Sequence, residues 1–195
     1  MLDTYGRKYV NPLINLGAKV FLKLRFTPNL VTVIALITGI LAAFFNFYGN
    51  IIIALLLLWI SGYLDSVDGA MARKLGLTTP FGTLLDITFD RLVELSIIIS
   101  IALKYENTRI YLLFLLCSIL ISMTIFLTVG ALSKNNGVKS FRYQAGVAER
   151  TEGFIMFSLI MCLEGNYKII TINIFTIIIL ITIFQRIIEA KKLLK

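Results

Sequence analysis

Long apolar runs separated by short polar breaks dominate the chain, as in "NIIIALLLLWI" and "IITINIFTIIILITIF". A membrane-crossing helix needs roughly 20 mostly apolar residues. Six windows meet or approach that length, at about 29–48, 50–67, 83–103, 109–130, 150–164 and 168–186. The fifth is short, and the second and third carry aspartates at their ends. Ahead of the first window, "NPLINLGAKVFLKLR" sets Asn15, Lys19 and Lys23 four apart, with Leu13, Leu16, Val20 and Leu24 on another face. That pattern predicts an amphipathic helix lying along the membrane interface, over about residues 4–25. "FTPNL" then predicts a helix start with Thr27 as N-cap and Pro28 at the first helical position. The expected fold is an all-α integral membrane protein. It has six transmembrane helices at about 29–186 and an N-terminal interfacial amphipathic helix, in one domain over 1–195.

Composition agrees with this reading. Of 195 residues, 58% are hydrophobic and 15% charged, whereas a soluble domain is nearer about 45–50% apolar and about 25% charged. The mean hydropathy is +0.88. The opening residues "MLDTYGRKYVNPL" lack a short continuous apolar core before small residues, so no cleavable signal is expected. Cys117 and Cys162 fall inside apolar windows and are expected to be buried packing residues, with no disulfide or zinc framework. Histidine is absent, which excludes histidine acid–base chemistry and histidine metal ligation.

Charge then orients the chain. The N-terminal stretch has Arg7, Lys8, Lys19, Lys23 and Arg25, and the second-to-third loop has Arg73 and Lys74. The fourth-to-fifth loop has Lys134, Lys139, Arg142 and Arg150, and the C-terminus Arg186, Lys191, Lys192 and Lys195. The opposite side has Lys104, Arg109 and Lys168, and Arg91 lies within a helix. Fifteen basic residues against three place both termini and the aspartate-bearing loop in the cytoplasm. The net charge of +8 reflects this asymmetry and attraction to anionic lipid. No nucleic-acid partner is expected, because no aromatic–basic surface module accompanies the charge.

Four aspartates stand out because an ionised carboxylate at membrane depth costs at least about 2–3 kcal/mol. Asp65 and Asp68 are three apart, and Asp86 and Asp90 four apart. On helices, each spacing puts its two carboxylates on one face. Two such pairs near the same end of antiparallel helices can converge, and they repel unless cations neutralise them. Oxygen-only ligands select hard metals, so Mg²⁺ or Mn²⁺ is expected, with Ca²⁺ as a non-catalytic occupant. Two divalent ions balance four carboxylates. Between the pairs, Gly69, Ala70 and Ala72 permit close approach to the backbone, and Arg73 offers a bidentate phosphate partner. Gly82 lets the third span begin close to its neighbour. Metals and a phosphate-binding arginine point to chemistry on a phosphate ester.

The full spacing, Asp65-x2-Asp68-Gly69-x2-Ala72-Arg73-x8-Gly82-x3-Asp86-x3-Asp90, resembles the signature of the CDP-alcohol phosphotransferase family. Every fixed position is present. The six-span plan, the basic leader and the "TPN" start fit the same family. The resemblance implies transfer of the phosphate-bearing half of a CDP-linked lipid to a small polar alcohol, with release of CMP. It implies Asp65, Asp68 and Asp86 as metal ligands. Asp90 would be the general base, also touching the second metal. Gly69, Ala72, Arg73 and Gly82 would line the CDP site, and the enzyme would be a homodimer.

The acceptor is read from "SKNNGVKSFRYQAGVAERTEGF", residues 133–154. Its "GVAERTEG" is similar to the inositol-phosphate-using branch and its archaeal relatives, where the arginine matching Arg150 helps bind the acceptor's phosphate. That branch also carries basic residues shortly before this region, and here Gly130 and Leu132 stand in their place. Lys134, Lys139 and Arg142 are candidate substitutes. Inositol phosphate, glycerol phosphate and serine remain open as acceptors, and the donor is CDP-diacylglycerol or an ether-lipid equivalent. A divalent-cation transporter and a non-catalytic nucleotide-lipid-binding membrane protein are the alternative classes. Against the transporter, the acids cluster at one end instead of lining a path.

Overall fold

The computed structural model describes residues 7–132 and 150–194, all of its regular elements being helical. In chain order these are α1 (Arg7–Lys23), α2 (Pro28–Phe47), α3 (Ile51–Leu75), α4 (Pro80–Lys104), a short 3₁₀ turn (Glu106–Thr108), α5 (Arg109–Leu132), α6 (Arg150–Cys162) and α7 (Gly165–Leu193). The described residues fall into two compact units, one of residues 7–106 and the other of residues 107–132 and 150–194.

Four helical stretches among the described residues are long and apolar enough to cross a membrane: Pro28–Phe47, Ile51–Leu75, Glu106–Leu132 and Gly165–Leu193. The protein is therefore a multi-pass membrane protein. Two of the six expected windows fall outside these four stretches, each for a physical reason. Helix α4 is 25 residues long, but Asp86, Asp90, Arg91, Glu94 and Lys104 dilute its hydropathy. Helix α6 has 13 described residues, a rise of about 20 Å against a hydrocarbon core of about 30 Å.

In the first unit, α2 is the hub. Helices α3 and α4 both pack on it, and α1 packs on α3. Small residues permit the approach. A Cβ on Gly39 would lie 2.4 and 2.7 Å from the Val93 methyls of α4 and 3.0 Å from Ser61 Oγ of α3. The Ser61 hydroxyl donates to the Ala35 carbonyl of α2 at 2.7 Å. At the other end of α2, Asn46 Nδ2 donates to Ser100 Oγ at 2.8 Å, and Lys104 Nζ donates to the Asn46 carbonyl at 3.2 Å. Helix α1 lies against α3 through Gly17, where a Cβ would meet Tyr63 Oη at 2.3 Å. Tyr63 Oη donates to Leu13 O, and Lys74 Nζ to Asn15 O. Ala18, Val31, Ala35, Leu64, Val67, Ala70 and Met71 form the core joining α1, α2 and α3.

Helix boundaries follow local chemistry. Thr27 and Thr79 both cap a helix with proline next in sequence, their hydroxyls accepting from Leu30 N at 3.3 Å and Gly82 N at 3.0 Å. Helix α3 does not stop near residue 67 as the hydropathy window suggested. It continues to Leu75 and ends at Gly76, whose φ of 64° is left-handed. There Leu77 N bonds Ala72 O and Gly76 N bonds Arg73 O, a Schellman closure. Gly69, Ala72 and Arg73 thus stand on a helix and not in a linker.

In the second unit, α5 and α6 each pack on α7. Two expected topology charges are buried here. Lys168, 1% exposed, donates from Nζ to the Ile160 carbonyl at 2.7 Å, in the last turn of α6. This satisfies an acceptor that the helix end leaves open. Arg186, 9% exposed, donates from Nη1 to both Ser122 O and Ser122 Oγ at 2.9 Å and lies over the Phe126 ring. The cysteine expectation is also corrected, because Cys117 and Cys162 are both exposed. A membrane helix is apolar on its lipid face as well as its packed face, so an apolar window says nothing about burial.

Candidate active site

The aspartates are arranged by two helical stripes. On α3, Ser61, Asp65, Asp68 and Ala72 follow one another at steps of four, three and four. On α4, Asp86, Asp90, Val93 and Ile97 repeat those steps. Such steps hold side chains to one face of a helix. Both helices rest on α2, and the stripes are tied to it at Ala35 by Ser61 and at Gly39 by Val93.

The outcome is that one carboxylate oxygen each of Asp65, Asp68 and Asp86 lie within 4.8 Å of one another. Asp65 and Asp68 are buried, and Asp86 is half-buried. The Thr32 hydroxyl of α2 lies beside the Asp68 carboxylate and donates to the Pro28 carbonyl of its own helix at 3.0 Å. Asp68 Oδ2 is buried with no hydrogen-bond partner. A buried carboxylate oxygen left bare beside two further carboxylates fits a divalent cation, and the all-oxygen donor set fits Mg²⁺ or Mn²⁺.

Asp90 stands one turn further along α4. It is in electrostatic range of Asp86, Arg91, Glu94 and Asp68 but is not one of the three converging ligands. Arg91 forms an ion pair with Glu94 one turn on, Arg91 Nη1 donating to Glu94 Oε2. Arg73 is exposed, and its charge acts on Asp68 and Asp86. Its guanidinium lies along the helix over Gly69, where an added Cβ would be 3.2 Å from Nη1. Gly82 sits in the first turn of α4, where a Cβ would lie 3.1 Å from Thr79 Oγ1 and 3.6 Å from Asn29 Oδ1.

Of the residues expected at an acceptor site, Arg150 opens α6 in the second unit, its guanidinium over the Phe154 ring. Lys134, Lys139 and Arg142 lie outside the described residues. Thr32 and Ser61 were not singled out from sequence. Their only signals were a hydroxyl four residues after Pro28 and another four residues before Asp65.

Known proteins share both sequence and fold with this chain. It is 33% identical to the archaetidylinositol phosphate synthase of Pyrococcus horikoshii, across 100% of this chain and 99% of that protein. It is 28% identical to the phosphatidylinositol phosphate synthase of Mycobacteroides abscessus, over 83% of this chain and 72% of that one. The crystal structure of Mycobacterium tuberculosis phosphatidylinositol phosphate synthase with CDP-DAG bound superposes with a TM-score of 0.74 at 22% identity. It covers 92% of this chain and 94% of that one, a likeness of fold. A second structure of that enzyme, in complex with manganese and citrate, gives a TM-score of 0.73 at 21% identity. The profile of the CDP-alcohol phosphatidyltransferase family matches residues 25–192, a span holding all four aspartates, Arg73 and Arg150. The chain belongs to the CDP-alcohol phosphatidyltransferase family, as a membrane transferase of phospholipid synthesis.

Proposed function

We propose that the protein transfers the phosphatidyl-type group of a CDP-linked lipid to a hydroxyl of inositol phosphate, releasing CMP. The observation that carries the reaction type is the convergence of Asp65, Asp68 and Asp86 within 4.8 Å, with the Arg73 fork beside them. The acceptor reading is supported by the full-length similarity to an archaetidylinositol phosphate synthase and by Arg150 in "GVAERTEG". Lys134, Lys139 and Arg142 are proposed to assist Arg150.

In this reading Asp65, Asp68 and Asp86 hold Mg²⁺ or Mn²⁺, and Asp90 contributes to a second ion. Divalent ions so held supply Lewis-acid stabilisation of charge on the diphosphate. Arg73 grips a diphosphate oxygen pair, and Gly69, Ala72 and Gly82 leave room for the CDP moiety against the helix backbone. Asp90 accepts the proton of the acceptor hydroxyl. The acceptor oxygen bonds to the lipid-bearing phosphorus, and the bond from that phosphorus to the bridging oxygen breaks. The electron pair leaves with CMP.

The same proposal includes six spans, with α4 and α6 crossing alongside the four apolar stretches, and both termini and the site on the cytoplasmic side. Helix α1 lies at the interface. Its exposed Val10, Leu13, Leu16 and Val20 support that placement. A homodimer is the expected assembly.

The test is CMP release from CDP-diacylglycerol or its ether-lipid counterpart. The acceptor panel is inositol phosphate, inositol, glycerol 3-phosphate and serine, with Asp90→Asn as control. Inositol phosphate should be the best acceptor and Asp90→Asn inactive. Turnover with glycerol 3-phosphate or serine alone refutes the acceptor, and full turnover by Asp90→Asn refutes the base.

A further inference from the structure

The turn that closes α1 carries a residue its backbone does not favour. Phe26 N donates to Phe21 O and Arg25 N to Leu22 O, both at 3.0 Å, a Schellman closure like the one after α3. After α3 the left-handed position is filled by Gly76. After α1 it is filled by Arg25 at φ 61°, the only described residue other than glycine with a positive φ. A side chain there crowds the following carbonyl, so glycine would serve the fold better. A residue kept against backbone preference points to a task outside the fold. The arginine is exposed.

Helix α1 shows where that task lies. It has three faces. Gly17 and Ala18 are buried, and Ile14 and Phe21 pack against the core shared with α2 and α3. Val10, Leu13, Leu16 and Val20, at steps of three, three and four, form a second stripe that is exposed. Lys19 and Lys23 are exposed four apart, each three residues after a member of that stripe, so the cations run along its edge. No acid occurs from Arg7 to Arg25. An apolar stripe bordered by cations fits a leaflet with anionic headgroups, the leucines among acyl chains and the charged tips at phosphates. Free phosphate would complement the cations and leave the leucines uncovered.

We infer that α1 and its closing turn form a docking surface for the anionic cytoplasmic leaflet, with Lys19, Lys23 and Arg25 on headgroup phosphates. The inference rests on the interfacial placement of α1 proposed above and adds a lipid charge to it. Tyr63 Oη and Lys74 Nζ hold α1 to α3 through the Leu13 and Asn15 carbonyls, and Lys74 follows Arg73 in sequence. Anionic lipid, the charge class of the proposed CDP-linked donor, is thereby gathered beside the end of α3 that carries Arg73.

The experiment uses the full chain in neutral detergent, titrated with pyrene-labelled phosphatidylglycerol or phosphatidylcholine. Binding is read by energy transfer from Trp59, the single tryptophan. Phosphatidylglycerol should bind the parent protein more tightly, and salt should weaken the preference. A cation near an anionic surface is worth about 5-fold. Arg25→Gly should therefore lose about 5-fold for phosphatidylglycerol and nothing for phosphatidylcholine, and Arg25→Lys should keep the preference. Arg25→Gly should also melt at or above the parent temperature, which separates lipid binding from folding. In a Trp59→Phe background, Leu16→Trp fluorescence should be quenched by brominated phosphatidylcholine in vesicles. Quenching there with equal binding of the two lipids overturns the inference and leaves α1 at the interface. An unquenched Leu16→Trp overturns both. Equal lipid binding with loss of a dimer in Lys19→Glu/Lys23→Glu assigns the face to a second copy and overturns the inference too.

Discussion

Gly69 separates folding from function more cleanly than any aspartate. It stands inside α3, one residue after Asp68, and the three atoms nearest to a Cβ there all belong to the Arg73 guanidinium. The contacts are 3.2 Å to Nη1 and 3.9 Å to Cζ and Nη2. Gly69→Ala should not harm the helix, because alanine is favoured over glycine in a helix interior by about 0.8–1 kcal/mol. The guanidinium, at the end of a flexible side chain, moves aside by a few tenths of an ångström. The methyl, however, occupies the surface over which Arg73 is proposed to present its fork to the diphosphate. Loss of a charge-assisted contact is worth about 1.5–3 kcal/mol, roughly 10- to 150-fold. The expected result is a melting temperature equal to or above that of the parent protein. The kcat/KM for the CDP-lipid should fall by about 10-fold or more, measured by CMP release with acceptor saturating. In an Arg73→Ala background the same glycine change should cost little further, since the two act through one contact. A raised melting temperature with unaltered kcat/KM refutes the proposed approach of the donor to this face of α3.

Chelation of divalent ions should abolish activity, and Mg²⁺ or Mn²⁺ should restore it; full turnover in excess chelator after exhaustive stripping refutes the metal mechanism. Gly39→Ala drives a methyl to 2.4 and 2.7 Å from the Val93 side chain and should destabilise by about 1–3 kcal/mol in denaturant titration. Val93→Ala should recover part of that loss, and unchanged stability in the single variant would show that α2 and α4 part without cost. Arg150→Ala should raise the KM for a phosphorylated acceptor by roughly 10- to 150-fold while sparing the KM for donor. An unchanged acceptor KM removes Arg150 from that role.

The carboxylate spacings were the most legible part of the site, because a step of three or four dictates a shared helix face whatever lies around it. Three of the four aspartates do converge. Helix extent was less legible. A hydropathy window reports where the chain leaves oil, and α3 runs eight residues past residue 67 to Leu75. The stop signal was nevertheless present in Gly76, a residue suited to the left-handed closure observed there. Burial was the least legible. Lys168 and Arg186 read as water-facing topology charges, yet both are buried against main-chain carbonyls. Cys117 and Cys162 read as core and are exposed. In a soluble protein, apolar means inside. In a membrane chain that rule fails, because lipid and core accept the same side chains and only polar contacts mark the packed face.

The helix that drew least attention in the sequence is the one that sets the site. Helix α2 carries no carboxylate, yet its Ala35 carbonyl accepts from Ser61 and its Gly39 admits Val93. These contacts fix how close α3 and α4 bring their acids. Closeness has an energetic consequence. At 4.8 Å two unit charges repel by about 3.5 kcal/mol at an effective dielectric near 20. Three such pairs together rival the roughly 5–15 kcal/mol that holds a whole domain folded. Packing on α2 must therefore oppose a strain that grows as the carboxylates ionise, and a bound divalent cation removes it. The cation would then stabilise the fold as well as take part in the chemistry. The small residues of α2 become the means by which a membrane protein keeps three acids together long enough to capture it.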